Sequence, residues 1–303
     1  MNTTNFSGTG VALITPFDTS GDIDFPALER VIKHCIDGGV DYLVALGTTG
    51  EAITLSSTEV RQVLDFILKI NDGRLPVVVG PFGHNDTAGL VHRIKAFNFD
   101  GFAGILSSSP AYIKPTQEGI FQHYMKLADV APLPIIIYNV PGRTASTITP
   151  ETILRIAHAS DRFAAVKDAT ADLVGAAKIA HGKPDHFQLL SGDDPTCLPM
   201  IVVGGTGVIS VIGNLLPGPY SQMIKAARNG DFVTARAIHL ATVHLHHWLY
   251  VEGNPAGIKA AMKIAGICNH HVRLPLVPYT EERFTKLKEE VETTLQALRE
   301  GVA

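Results

Sequence analysis

The chain is expected to fold as an α/β protein, a (β/α)8 barrel (TIM barrel) with a C-terminal helical extension, and three observations lead there. Eight short apolar runs rich in β-branched residues alternate with stretches of helical period, and such alternation means parallel strands. Runs such as Ile135-Ile136-Ile137 and Pro76-Val77-Val78-Val79 are continuously apolar, so both faces of those strands are covered. No run is followed by G-x-G-x-x-G, which weighs against the competing open doubly wound sheet.

In chain order the strands are expected at Gly10 to Phe17, Tyr42 to Leu46, Val77 to Gly80, Phe102 to Leu106, Ile135 to Asn139, Phe163 to Lys167, Phe187 to Ser191 and Gly207 to Ile212. Between them, apolar residues at helical spacing mark Phe25 to Gly38, Ser57 to Asn71, Asp86 to Phe97, Thr116 to Val130, Pro150 to Ala159 and Leu173 to Ala180. Beyond about Pro219 the pattern is helical only: Pro219 to Asn229, Asp231 to Tyr250, Ala256 to Gly266 and Thr280 to Glu300. That is more helix than a minimal barrel needs, and no linker or repeat divides the chain. A catalytic barrel core over 1–218 and a packed helical extension over 219–303 are therefore expected.

With 303 residues, 46% of them hydrophobic, the chain can bury one large core. A net charge of -4 without a like-charge block gives no footprint for nucleic acid or an anionic membrane, so small anions need locally placed cations. Cys35, Cys197 and Cys268 lie far apart and form no C-x-x-C pair, which reads as buried reduced thiols. Met1 to Ser7 is polar and lacks the features of a signal peptide, and no apolar stretch is long enough to span a membrane. A soluble cytoplasmic protein is expected, and the Asn-x-Ser/Thr triplets at Asn2, Asn5 and Asn85 are then chance matches. His244, His246 and His247 cluster without an acidic residue at a ligand offset, so a solvated or interface patch is expected there, not a metal hydrolase.

In a parallel barrel, chemistry belongs to the carboxyl ends of the strands. Lys167 ends the apolar run Phe163-Ala164-Ala165-Val166, where an unpaired ammonium is costly and loss of the proton leaves a nucleophilic amine. A lysine held in a barrel salt bridge is the competing reading, and Asp168 faces the opposite way in the pleat. Gly47-Thr48-Thr49-Gly50-Glu51 follows the second strand and offers either a small anion cradle or an ordinary Thr-capped turn. Tyr138 and Arg143, in Tyr138-Asn139-Val140-Pro141-Gly142-Arg143-Thr144, can relay a proton and fork onto a carboxylate, or can be a packed tyrosine and a surface arginine. The glycines after the seventh strand, 204, 205 and 207, have no nearby cation and read as close backbone packing, not as a phosphate site.

Taken together, G-T-T-G-E at 47 to 51, Y-N-V-P-G-R-T at 138 to 144, V-K-D-A-T at 166 to 170, S-G-D-D at 191 to 194 and G-V-I-S-V at 207 to 211 resemble the pyruvate-dependent class I aldolase and lyase superfamily. Within it the chain is most similar to the dihydrodipicolinate synthase family, in order and spacing from about Gly8 to Pro275. The resemblance implies that Lys167 captures pyruvate as a Schiff base and that Tyr138, Thr48 and Tyr112 relay protons, Tyr112 from a neighbouring subunit. It implies that Thr49 meets the pyruvate carboxylate, that Arg143 holds the carboxylate of L-aspartate 4-semialdehyde, and that Ile209 and Gly192 contribute backbone groups. No metal or cofactor is called for, because the imine nitrogen is the electron sink. The implied assembly is a homotetramer, a dimer of dimers.

Sister enzymes that cleave sugar-derived 2-keto acids place smaller or hydroxyl-bearing residues where Arg143 stands, so a short carboxylated aldehyde is favoured; a non-catalytic keto-acid sensor would not need the full residue set. Two departures stand out. Lysine-inhibited members resembling this chain carry a histidine pair, a glutamate and a tyrosine where Ser57, Val60, Gly89 and Ala111 stand, leaving Asn85 as a polar remnant, so feedback by lysine is expected to be weak or absent. Ala171 replaces a common glycine and is expected to change only local packing.

Overall fold

In the computed structural model, which describes residues 5–80 and 82–301, eight parallel strands close into a barrel in chain order. The triplet at Asn2 lies outside the described residues. The succession is β1 (Gly8–Ala12), α1 (Phe25–Asp37), β2 (Tyr42–Ala45), α2 (Ser57–Asn71), β3 (Val77–Val79), α3 (Thr87–Ala96), β4 (Gly104–Ser108) and α4 (Gln117–Ala128). It continues with β5 (Ile135–Asn139), α5 (Pro141–Thr144), α6 (Pro150–Ala159), β6 (Phe163–Asp168), α7 (Leu173–Gly182), β7 (Gln188–Ser191), α8 (Cys197–Val202) and β8 (Gly207–Ser210). Helices α9 (Pro217–Arg228), α10 (Phe232–Tyr250), α11 (Ala256–Ile264) and α12 (Glu281–Gly301) complete it.

The continuous apolarity of the strands follows from two cores. Leu43, Ala45, Ile135, Ile137 and Val166 pack outward under the helices, while Val44, Ile136, Tyr138, Ala165 and Leu190 fill the barrel. Helix starts are capped as their sequences require: Ser56 and Glu59 bond reciprocally at the start of α2, at 3.2 and 2.8 Å. Beyond its strand pairing, β8 meets β1 so closely that a Cβ on Gly207 would lie 2.2 Å from the Gly8 carbonyl oxygen. Close backbone packing accounts for that glycine.

Several boundaries differ from expectation, among them β4 at Gly104–Ser108 and β8 at Gly207–Ser210. The first strand runs from Gly8 to Ala12, not from Gly10 to Phe17, because Leu13, Ile14 and Phe17 are buried in the connecting loop and apolarity does not mark where pairing stops. The short α8, with Pro199 in its first turn, has too few residues to show a helical period. Helix α9 straddles the expected division at 218/219 and packs on β1, α1 and α8, which makes it the eighth barrel helix. The other three pack on one another beside it. Among the described residues no helix is long and apolar enough to cross a membrane.

Candidate active site

An extra residue in β6 sets the site. Pairing with β5 runs Ile135 to Phe163 and then jumps to Ile136 opposite Ala165, so Tyr138 comes to lie opposite Lys167. Without this bulge Tyr138 would face Val166, and a one-residue slip exchanges the two faces of a strand. Lys167 is 4% exposed, and its Nζ lies 4.4 Å from the centre of the Tyr138 ring. Among the described residues it makes no hydrogen bond and no ion pair. The salt-bridge reading of this lysine is thereby set aside, and the aromatic face is its near neighbour. Gly192 allows the side chain to lie there, since a Cβ at that position would stand 3.0 Å from Lys167 Cγ.

A cleft of about 610 Å³ opens at the carboxyl ends of the strands and is lined by Thr48, Tyr138, Arg143, Ser109 and Asn254, among others. Thr49 is buried and accepts a hydrogen bond from Asn254 Nδ2 at 2.9 Å. The Arg143 guanidinium, exposed at the mouth, donates to the Asn254 main-chain carbonyl at 3.1 Å. Ile209 is buried on β8 beside Gly10 of β1. Tyr112 is not brought into the cleft of its own chain: it is 87% exposed, with its backbone N–H on the Thr144 carbonyl at 3.0 Å.

Three residues hold this arrangement, of which Lys259 and Arg273 carry no strand-end signal. Glu51, at φ 51° between two 3₁₀ turns, receives the ammonium of Lys259 and the N–H of Arg273, the latter at 3.1 Å. Lys259 is fully buried, also donates to the His271 carbonyl at 2.9 Å, and lies 4.1 Å from the Phe17 ring centre. Burial pulls its ammonium below the usual range, and the attraction and hydrogen bond of Glu51 oppose that pull. Arg273 reaches on to Glu59, fixing the end of the same loop. The one readable signal was α11 itself, in which Ile258, Ala260, Ala261 and Met262 surround Lys259; a lysine on a helix apolar all round must have a buried partner.

On the outer face of β6, Asp168 accepts from Asn139 Nδ2 at 3.1 Å and Thr170 Oγ1 at 3.0 Å, and Asn139 in turn holds the loop at Ile148. Burial pushes the Asp168 carboxyl up from 3.8 to about 6, against those hydrogen bonds. The folded state therefore keeps a proton that the unfolded chain has lost. The stability this contributes is complete below pH 3.8 and is lost as pH rises through about 6. An Asp168→Asn variant cannot ionise, so its stability relative to the parent should rise across that window by about 3 kcal/mol. Urea unfolding at acidic and at mildly alkaline pH checks this; a difference that does not change with pH contradicts it.

Two further expectations change. Ala171 sits at φ 58°, in the left-handed region that costs a Cβ roughly 1–2 kcal/mol, so a glycine there serves conformation and not merely packing. Of the three clustered histidines, His244 and His247 are exposed, but His246 is buried against the Tyr220 hydroxyl at 3.1 Å, and burial lowers it to about 4.

A buried lysine at the end of the sixth strand of a parallel barrel, set against a tyrosine of the fifth, defines the class I aldolase type of barrel lyase. The chain belongs to the dihydrodipicolinate synthetase family, whose model matches residues 5–294. It is 45% identical over 282 residues to the 4-hydroxy-tetrahydrodipicolinate synthase of Flavobacterium psychrophilum, covering 93% of this chain and 96% of that one. To the synthase of Parabacteroides distasonis it is 43% identical over 285 residues, covering 94% and 96%. The crystal structure of the chloride-inhibited dihydrodipicolinate synthase from Acinetobacter baumannii, complexed with pyruvate, superposes with a TM-score of 0.92 at 34% identity, covering 96% and 99% of the two chains.

Proposed function

We propose that this protein condenses pyruvate with L-aspartate 4-semialdehyde, the reaction of 4-hydroxy-tetrahydrodipicolinate synthase in lysine and diaminopimelate biosynthesis. The observation that carries the reading is Lys167, buried, without an ion pair, and against the ring of Tyr138. Its Nζ adds to the keto carbon of pyruvate, and loss of water gives the imine; removal of a methyl proton gives the enamine. The enamine carbon attacks the aldehyde of the second substrate. The amine of that substrate then closes on the imine carbon, and the C–N bond to Lys167 breaks to release the enzyme and the heterocycle.

Tyr138 and Thr48, which line one cleft, move the protons that these steps demand. Thr49 meets the pyruvate carboxylate, Gly192 and Ile209 supply backbone groups, and Arg143 at the mouth forks onto the carboxylate of the semialdehyde. Tyr112 completes the relay in the cleft of a second copy, which accounts for a tyrosine left 87% exposed beside Ile113, itself 56% exposed. A dimer is then the minimal active unit and a homotetramer the assembly. Borohydride reduction in the presence of pyruvate, followed by peptide mapping, should place the adduct on Lys167. The same preparation should turn over the semialdehyde, and an adduct without that turnover moves the assignment to a sister aldolase.

Feedback inhibition is set by what replaces the lysine-binding side chains. Asn85 Oδ1 is engaged by the Ala111 N–H at 2.7 Å, and neither Gly89 nor Ala111 brings a charge. Millimolar L-lysine is expected to leave the initial rate essentially unchanged; strong inhibition in that titration contradicts the reading.

A further inference from the structure

We infer that Asn254, which joins α10 to α11, is a positioning residue: its side chain directs the Thr49 hydroxyl and its main-chain carbonyl fixes one arm of Arg143. The inference rests on the roles given to Thr49 and Arg143 above. Asn254 is buried and reaches Thr49 across 205 residues of chain, with Nδ2 donating to Oγ1 at 2.9 Å. Because the amide donates, the Thr49 oxygen is the acceptor and the hydroxyl keeps its proton for another partner. A carboxylate at the keto-acid position is such a partner. The same residue accepts from Arg143 Nη2 at 3.1 Å, so one residue of the helical extension touches both carboxylate subsites.

Two further observations support a built arrangement. Asn254 Oδ1 is buried and has no hydrogen-bond partner among the described residues, although a buried acceptor left empty is costly. The amide turns its N–H side to Thr49 and leaves this acceptor open. Secondly, Lys259 lies little more than one helical turn further on and grips Glu51, two residues beyond Thr49. The extension is pinned to the threonine loop at two points, which fixes the distance between Asn254 and Thr49.

The test is a double-mutant cycle on Asn254→Ala and Thr49→Val, read by the rate of imine formation with pyruvate (borohydride trapping on Lys167) and by kcat and KM for each substrate. Asn254→Ala should slow imine formation and lower kcat/KM for pyruvate by about tenfold, the weight of one hydrogen bond. Its KM for the semialdehyde should stay within about twofold, because the carbonyl that holds Arg143 remains. In the Thr49→Val background the Asn254 substitution should have no further effect. Asn254→Asp keeps the shape but turns the bond around, so that Thr49 must donate to the carboxylate; it should be as impaired as Asn254→Ala, and it serves where the alanine variant does not fold. Equal losses in both backgrounds, or an Asn254→Asp protein with parental imine formation, overturn the inference. If the parent protein traps pyruvate but does not turn over the semialdehyde, the synthase reading fails, while the cycle on imine formation still decides for Asn254.

Discussion

A Lys167→Met variant is expected to form no borohydride-stable adduct with pyruvate and to lose turnover by on the order of 10⁴-fold or more, the scale on which removal of a covalent nucleophile falls. The change is chemical and not structural. Methionine matches the length and apolar stem of lysine, and the position is already 4% exposed with no ion pair to break. The fold should therefore survive, with an unfolding midpoint near or above that of the parent, since a buried polar amine has been replaced by a thioether. Intact-protein mass after reduction and steady-state assays decide the matter together. Residual turnover within a hundredfold of the parent would mean that the condensation does not run through this amine.

The second large effect lies in stability. Lys259→Met should destabilise the protein by about 3–5 kcal/mol, because the Glu51 carboxylate, 2% exposed, then keeps only the Arg273 N–H. Activity should fall with it, since Glu51 terminates the loop that carries Thr48 and Thr49. A double variant, Glu51→Gln with Lys259→Met, removes both charges and should recover most of the stability, as buried pairs replaced together often do. Denaturant unfolding of the two singles and the double gives the coupling directly. A single variant as stable as the parent would show that the pair contributes nothing to holding the loop.

The barrel was legible because its strands are buried on both faces and its helices on one. Ile135 to Asn139 and Ser57 to Asn71 carry those two patterns without interruption, and both elements have the expected limits. Patterning failed where burial continues past pairing, as at Leu13 to Phe17, and where an element is too short to have a period, as in α8. In the site, Lys167 stood out since a cation inside an apolar strand conflicts with its surroundings, and Tyr138, whose ring it meets, lines one cleft with Thr48 and Arg143. Asn254 and the pairing of Glu51 with Lys259 were not legible, because what they do depends on partners more than two hundred residues away. Nor does sequence announce the bulge in β6; two alanines, Ala164 and Ala165, give no local sign that both turn toward the barrel interior.

The span of 208 residues between Glu51 and Lys259 also has a meaning in time. A ribosome needs about 10 to 40 s to add that many residues, so the first strands and the threonine loop leave the exit tunnel long before their anchor exists. During that interval Thr49 has no Asn254 to direct it, and the carboxylate of Glu51 stays in water. Nascent or prematurely terminated chains that stop short of α11 thus carry Lys167 without the machinery around it. Completion of the helical extension is the event that turns an assembled scaffold into a competent enzyme, and competence is acquired late in synthesis.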